Sequence, residues 1–252
     1  MRRILMCTLM LTACAATTGV QTQTALDNPV RVFVVPNPLP PCGLATAILH
    51  LEQSVNALIG FERQPNCPDN PNLFPDLSAQ TLNDLSGRTV RQVLDHLIAL
   101  DPAFQWRDVN GVAVVRPVMA WDDAANPLNV AAEPFTLVDG QLTDAVAAAV
   151  RRVKLQVAGA ADDAATNRRF SVEFTGGSML EALNTVIQAH GAAVWEIQPP
   201  APQDSATQDT SADSIRPVDI TVRTFDASGS SFATPVVQPP PPLPQVQKKR
   251  DR

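Results

Sequence analysis

Residues 86–106 read SGRTVRQVLDHLIALDPAFQW, and residues 175–195 read TGGSMLEALNTVIQAHGAAVW. Laid over one another without a gap, 89 positions apart, they pair Ser86 with Thr175, Gly87 with Gly176, Thr89 with Ser178 and Leu94 with Leu183. Ile98 meets Ile187, Ala103 meets Ala192 and Trp106 meets Trp195. In the first stretch Gly87 makes a turn and Thr89 caps a helix, its side-chain oxygen accepting from a free backbone N–H. Val90, Val93, Leu94, Leu97 and Ile98 form one helical face, with Arg91, Gln92, Asp95 and His96 off it. Asp101-Pro102 ends that helix. In FQWRDVNGVAVVRP, residues 104–117, two alternating runs flank Asn110-Gly111, a strong hairpin signal. Phe104 and Trp106 share a face of the first run, because alternate residues of a strand do.

The same element types continue outward. The β-branched run at 30–36 predicts a strand stopped by Pro36 and Pro38. Leu44, Ile48, Leu51, Val55 and Leu58 predict an amphipathic helix over 43–60 closed by Gly60, with FERQ leaving it as a strand. Residues 65–76 read as loop from their prolines and asparagines. Further on, 135–138, 155–159, 169–174 and 193–198 read as strands, and 141–153 and 178–190 as helices. The expected fold is therefore α+β: two small β-α-β-β-α-β units, each with two helices on its own small sheet, at 30–117 and 133–198. A connector spans 118–132. Residues 199–252 are polar and proline-rich, which predicts a largely disordered tail with one candidate strand at 217–225. Four prolines from Pro239 favour polyproline II, and Lys248, Lys249 and Arg250 make the end basic.

The chain is 45% apolar, enough for a core, and carries a net charge of −6. An acidic chain argues against a nucleic-acid groove, which needs clustered Lys and Arg. At the N-terminus, Arg2 and Arg3 precede an apolar run over 4–13, the pattern of a secretory signal within residues 1–25. The run is too short to span a bilayer, which takes about 20 apolar residues. LTAC, residues 11–14, resembles a bacterial lipoprotein box in which Cys14 would become the acylated first residue. The competing expectation is an ordinary signal cleaved near Ala13-Cys14-Ala15. Either way the expected location is the periplasm, with membrane contact only through an N-terminal lipid.

Export leaves Cys42 and Cys67, most simply one disulfide in an oxidising compartment. The alternative is a reactive thiol at Cys42, placed just before a helix whose dipole lowers a thiol pKa. His50, His96 and His190 lack a second ligand at metal spacing and read as surface or helix-end residues. Asp122-Asp123 and Asp162-Asp163 read as solvated loop charges, since acid–base pairs need separate environments. No G-x-S-x-G or P-loop is present. The expectation is no catalytic residue, no metal and no cofactor. Trp106 and Trp195 are each expected to anchor a small core, with an interface anchor as the alternative.

The segment FTLVDGQLTDAVAAAVRRVKLQV, with RRFSVEFTGGSMLEALNTVIQAHGAAVWEI after it, resembles the short STN domain at the N-terminus of secretins and TonB-dependent receptors. Ser178, Glu181, Ala182 and Leu183 carry the signature of its second helix, and Thr89, Val93 and Leu94 hold corresponding places in the first unit. The resemblance spans roughly residues 30–198 but no barrel sequence follows, so it implies a stand-alone relative. Such domains imply a periplasmic protein–protein interaction module whose partner is another envelope protein: a secretin, a receptor or an inner-membrane component. The alternative is a ligand- or cell-wall-binding protein using a cleft between the two units.

Overall fold

The computed structural model describes residues 25–65, 67, 82–151, 155–158, 168–198 and 218–224. The expected leader with Cys14, Asp162-Asp163 and most of the expected tail lie outside the described residues. The fold is mixed α+β. In chain order its elements are β1 (Val34–Pro36), α1 (Gly43–Ser54), β2 (Ile59–Glu62), β3 (Leu82–Asp84), α2 (Val90–Leu100), β4 (Phe104–Val109) and β5 (Val112–Pro117). There follow β6 (Ala131–Ala132), β7 (Phe135–Gly140), α3 (Leu142–Ala149), β8 (Leu155–Ala158), β9 (Phe170–Phe174), β10 (Gly177–Ser178), α4 (Met179–His190), β11 (Ala193–Gln198) and β12 (Val218–Thr224).

Each of the two long matching helices starts as its sequence dictates. Thr89 and Ser178 accept from the backbone N–H of Gln92 and Glu181, whose side chains accept in return from the cap backbone. These are reciprocal capping boxes. Asn110 and Gly111 make the two-residue β4–β5 turn with φ of 56° and 86°, the positive values that such hairpins require.

The expectation of a separate small sheet for each half does not hold. One six-stranded sheet runs β4-β5-β2-β11-β12-β8, and parallel pairing of β2 with β11 joins the halves. The candidate strand at 217–225 is β12, and it lies inside this sheet between β11 and β8. Antiparallel pairs β1–β3, β7–β9 and β6–β10 stand apart from it. Both triplets have one topology: an antiparallel pair, β4–β5 or β11–β12, followed by a parallel neighbour, β2 or β8. Along the sheet the second triplet keeps the order of the first with every direction reversed. It is the first triplet turned over about an axis across the strands.

Turning over also exchanges faces. Ile59, Phe61, Ala113, Val115 and Val194 pack under α1 and α2, whereas Val112, Val114, Ala193, Trp195 and Ile197 pack under α3 and α4. Consecutive residues of β5 and β11 thus feed opposite cores, as strand pleating requires. A sheet covered on both faces needs apolar residues at successive positions, which is why VAVV and AVW are uninterrupted.

Helix α1 ends at Ser54 rather than at Gly60. From Val55 the chain is extended, and Val55, Ala57, Ile59 and Phe61 enter the α1–α2 core with period two. Gly60 is therefore a strand residue. It lies opposite Trp195, and a Cβ there would fall inside the indole ring, against Cζ2 and Cε2. Gly60→Ala is expected to cost about 1–3 kcal/mol of unfolding free energy in urea titration, the usual range for overpacking. Trp195→Phe should recover part of that cost in the double variant, because the smaller ring leaves room.

Candidate functional site

The β2·β11 junction is fastened on both faces. On the α3–α4 face, fully buried Trp195 lies over Gly60, and its Nε1 donates to Asn184 Oδ1 at 2.9 Å. On the α1–α2 face, four charged side chains converge: Glu52 of α1, Arg63 just after β2, Glu196 of β11 and Arg223 of β12. Arg63 and Arg223 both pair with Glu196, and Arg223 Nη2 lies 3.8 Å from Glu52 Oε2. Two acids and two bases balance, which is how charge is tolerated in such a place. Burial pushes the Glu52 carboxyl up to about 7, against the pull of Arg223 and Arg63.

A second buried charge holds the connector. Arg116 of β5 is 0% exposed; it donates to Glu62 Oε2 (2.6 Å), Ala120 O (2.9 Å), Asn126 Oδ1 (2.9 Å) and Asn129 Oδ1 (3.0 Å). Asn126 Nδ2 completes the ring by donating to Glu62 Oε1 at 2.5 Å. The segment 118–129, two short 3-10 turns, is thereby tied to β2 and β5. Sequence reasoning missed both charge clusters. The usable signals were an arginine ending the apolar run VAVVRP and a glutamate four residues after Ile48, on the apolar face of α1.

The two matching tryptophans occupy unlike surroundings. Trp106 Nε1 donates to Asp95 Oδ1 at 2.8 Å, and Asp95 and Asn184 are themselves 89 positions apart. The same bond is thus made twice. Trp195 is core; Trp106 is half-buried on β4, the strand at one end of the sheet. The Arg91 guanidinium lies 5.9 Å from the Trp106 ring centre and donates to Asp27 (3.0 Å) and Asp108 (2.5 Å). The neutral amide stands where the pair is sealed, and the carboxylate where water and a guanidinium are near, as the cost of burying charge demands. Arg107 faces the other way and stacks on Trp121 at 4.1 Å. Val118 donates its backbone N–H to Ala103 O at the start of β4, and Met119 beside it is 83% exposed.

Cys42 and Cys67 form a disulfide with Cα atoms 5.4 Å apart, so the thiol alternative at Cys42 has no free sulfur in this structure. The cavity beside it, lined by Leu44, Phe61, Gln64 and Phe104 among others, measures about 10 Å³, the room of roughly one water. His190 was expected at a surface or helix end. It does close α4, but it is fully buried with its ring edge-on to Phe170 at 5.3 Å. His96 Nε2 meets Asn83 Nδ2 at 3.0 Å, and burial lowers the pKa of His50. Asp122 and Asp123 are exposed. Among the described residues, no three His, Cys, Asp or Glu are grouped to hold a metal, and no helix is long and apolar enough to cross a membrane.

Compared with family models, curated proteins and solved structures, the chain matches none.

Two outcomes follow from this geometry. Glu52 ionises near 4.5 when unconstrained and about 7 in the fold, so the folded state holds a proton that the unfolded state releases between those values. Its stabilising share is full below pH 4.5 and is lost as pH rises to about 7. Glu52→Gln, a copy of the protonated carboxyl, should flatten that slope, read as the difference between two stability–pH curves. Separately, Asn184→Leu should cost about 1–3 kcal/mol by leaving the buried Trp195 N–H without a partner. Asp95→Leu should cost less, because water can reach the half-buried Trp106; chemical denaturation of both variants measures the contrast.

Proposed function

We propose that this chain is an exported, non-catalytic protein–protein interaction module of a bacterial envelope, built from two STN-like units joined edge to edge. The recurrence supports the two-unit account. Capping boxes at Thr89 and Ser178, the indole bonds of Trp106 and Trp195 and the strand arrangement all repeat. The partner is another envelope protein, of the secretin, receptor or inner-membrane kind. Cys14, if acylated, would tether the chain to the outer membrane.

One observation carries the reading. Among the described residues nothing pairs with the outer side of β4, and edge strands recruit other chains through their unpaired backbone groups. The matching edge, on β11, is already filled by β2. A wall- or ligand-binding cleft between the units is less favoured, because the place where it would open is taken by hydrogen-bonded strands and by the Trp195 and Glu196 contacts.

The test places a photo-crosslinking residue at exposed Gln105 on β4, or at exposed Asp144 on α3, in the full-length protein carrying its own leader. In intact envelopes, Gln105 is expected to yield one discrete protein adduct that survives moderate salt and that Asp144 does not yield. No adduct from Gln105, together with salt-sensitive retention on purified cell wall, would overturn the adaptor reading in favour of wall binding.

A further inference from the structure

The internal junction is a worked example of what the open edge accepts. The β2·β11 contact is head-to-tail: the β2 side of one triplet meets the β11 side of the other, so one strand of each kind is left at the ends of the sheet. A head-to-tail contact that is not closed into a ring leaves complementary edges at its two ends. The open counterpart of β11 is β4. Trp106 holds the place of Trp195, Arg107 that of Glu196, and Asp95 that of Asn184.

What β11 receives is specific. Gly60 sits opposite Trp195, because only a residue without Cβ fits beneath the ring. Ile59 and Phe61 flank it and point to the far face. Arg63, three residues after the glycine, pairs with Glu196. At β4 the charge at this last place is reversed, because Arg107 replaces Glu196. The complement of Arg107 is an acid. Apolar residues ahead of the glycine would run towards exposed Val118 and Met119 at the start of β4.

We propose that β4 binds an extended segment of a partner protein, parallel to it, with glycine opposite Trp106, an apolar residue on each side of the glycine and an acid three positions after it. This rests on the adaptor reading and names the chemistry of its partner. A second copy of this chain is a poorer occupant. The strand it would offer is β8, and the β12·β8 register puts Ala158 where the β5·β2 register puts Gly60. The sequence has no glycine at that position.

The probe is a synthetic peptide copying residues 57–63, ALIGFER, and two relatives of it carrying Arg63→Asp or Gly60→Val. Each is titrated into the full-length protein, with hydrogen exchange of the 104–109 amides locating the site. The Arg63→Asp peptide should bind about 2–5-fold more tightly than the parent, the worth of one exposed ion pair. The Gly60→Val peptide should bind at least about tenfold more weakly, and bound peptide should slow exchange on β4. Trp106→Ala should weaken the Arg63→Asp peptide by a similar factor. Arg107→Glu, which gives up the stack on Trp121 and whose fold is checked by circular dichroism, should invert the preference between the parent and the Arg63→Asp peptide.

Equal binding of the glycine and valine peptides, no protection of β4, or a charge preference indifferent to Arg107→Glu would each overturn the proposal. Concentration-dependent self-association lost with Trp106→Ala would overturn it in favour of a second copy. The adaptor reading fails separately: a Gln105 adduct in envelopes with no peptide discrimination leaves that reading standing and removes this one.

Discussion

A single close approach governs the architecture. For β2 to lie beside β11, the backbone at residue 60 must pass under the Trp195 indole, and only glycine allows it. With that contact the two triplets share one sheet, and each helix pair covers the face that the other leaves bare. Without it each half would expose an apolar sheet face, and a two- or three-stranded sheet under two helices is a small core for independent stability. The fold is therefore a sandwich in which each half completes the other.

The buried charges belong to the same constraint. Glu52, Arg63, Glu196 and Arg223 come from four different parts of the chain that meet only because β2, β11 and β12 are neighbours. Arg116 and Glu62 likewise come from adjacent strands β5 and β2, and their ring of partners fixes the connector that leads from the first half to the second. Such groups add little net stability over apolar substitutes, yet they penalise other pairings, since a slipped register would leave charge buried without a partner. Register at the junction is thus specified by a glycine on one face and by charge on the other.

Much of this was legible in the sequence, and the misses have one origin. Caps at Thr89 and Ser178, the Asn110-Gly111 turn and the Cys42–Cys67 bridge are signals carried by the sequence itself, and all are present. At 55–61 two periods overlap in the same letters. Val55 and Leu58 extend the helical spacing, while Val55, Ala57, Ile59 and Phe61 alternate as a strand, and the sheet wins because all four alternating side chains reach the α1–α2 core. The joining of the sheets was hidden because no local pattern says which edges meet. The one clue was VAVV and AVW without a polar face, a mark of strands covered on both sides.

The difference between the matching tryptophans follows from position in the sheet rather than from any difference in their own strands. Both indoles are held by a side-chain oxygen one helix away, at 2.8 and 2.9 Å. Trp195 is sealed because β2 covers it; Trp106 is half-buried, and among the described residues no strand lies beyond β4. Local sequence sets the rotamer and the bond, and topology sets the burial. The place that Gly60 holds in β2 is taken in β8 by residue 158, an alanine in the sequence.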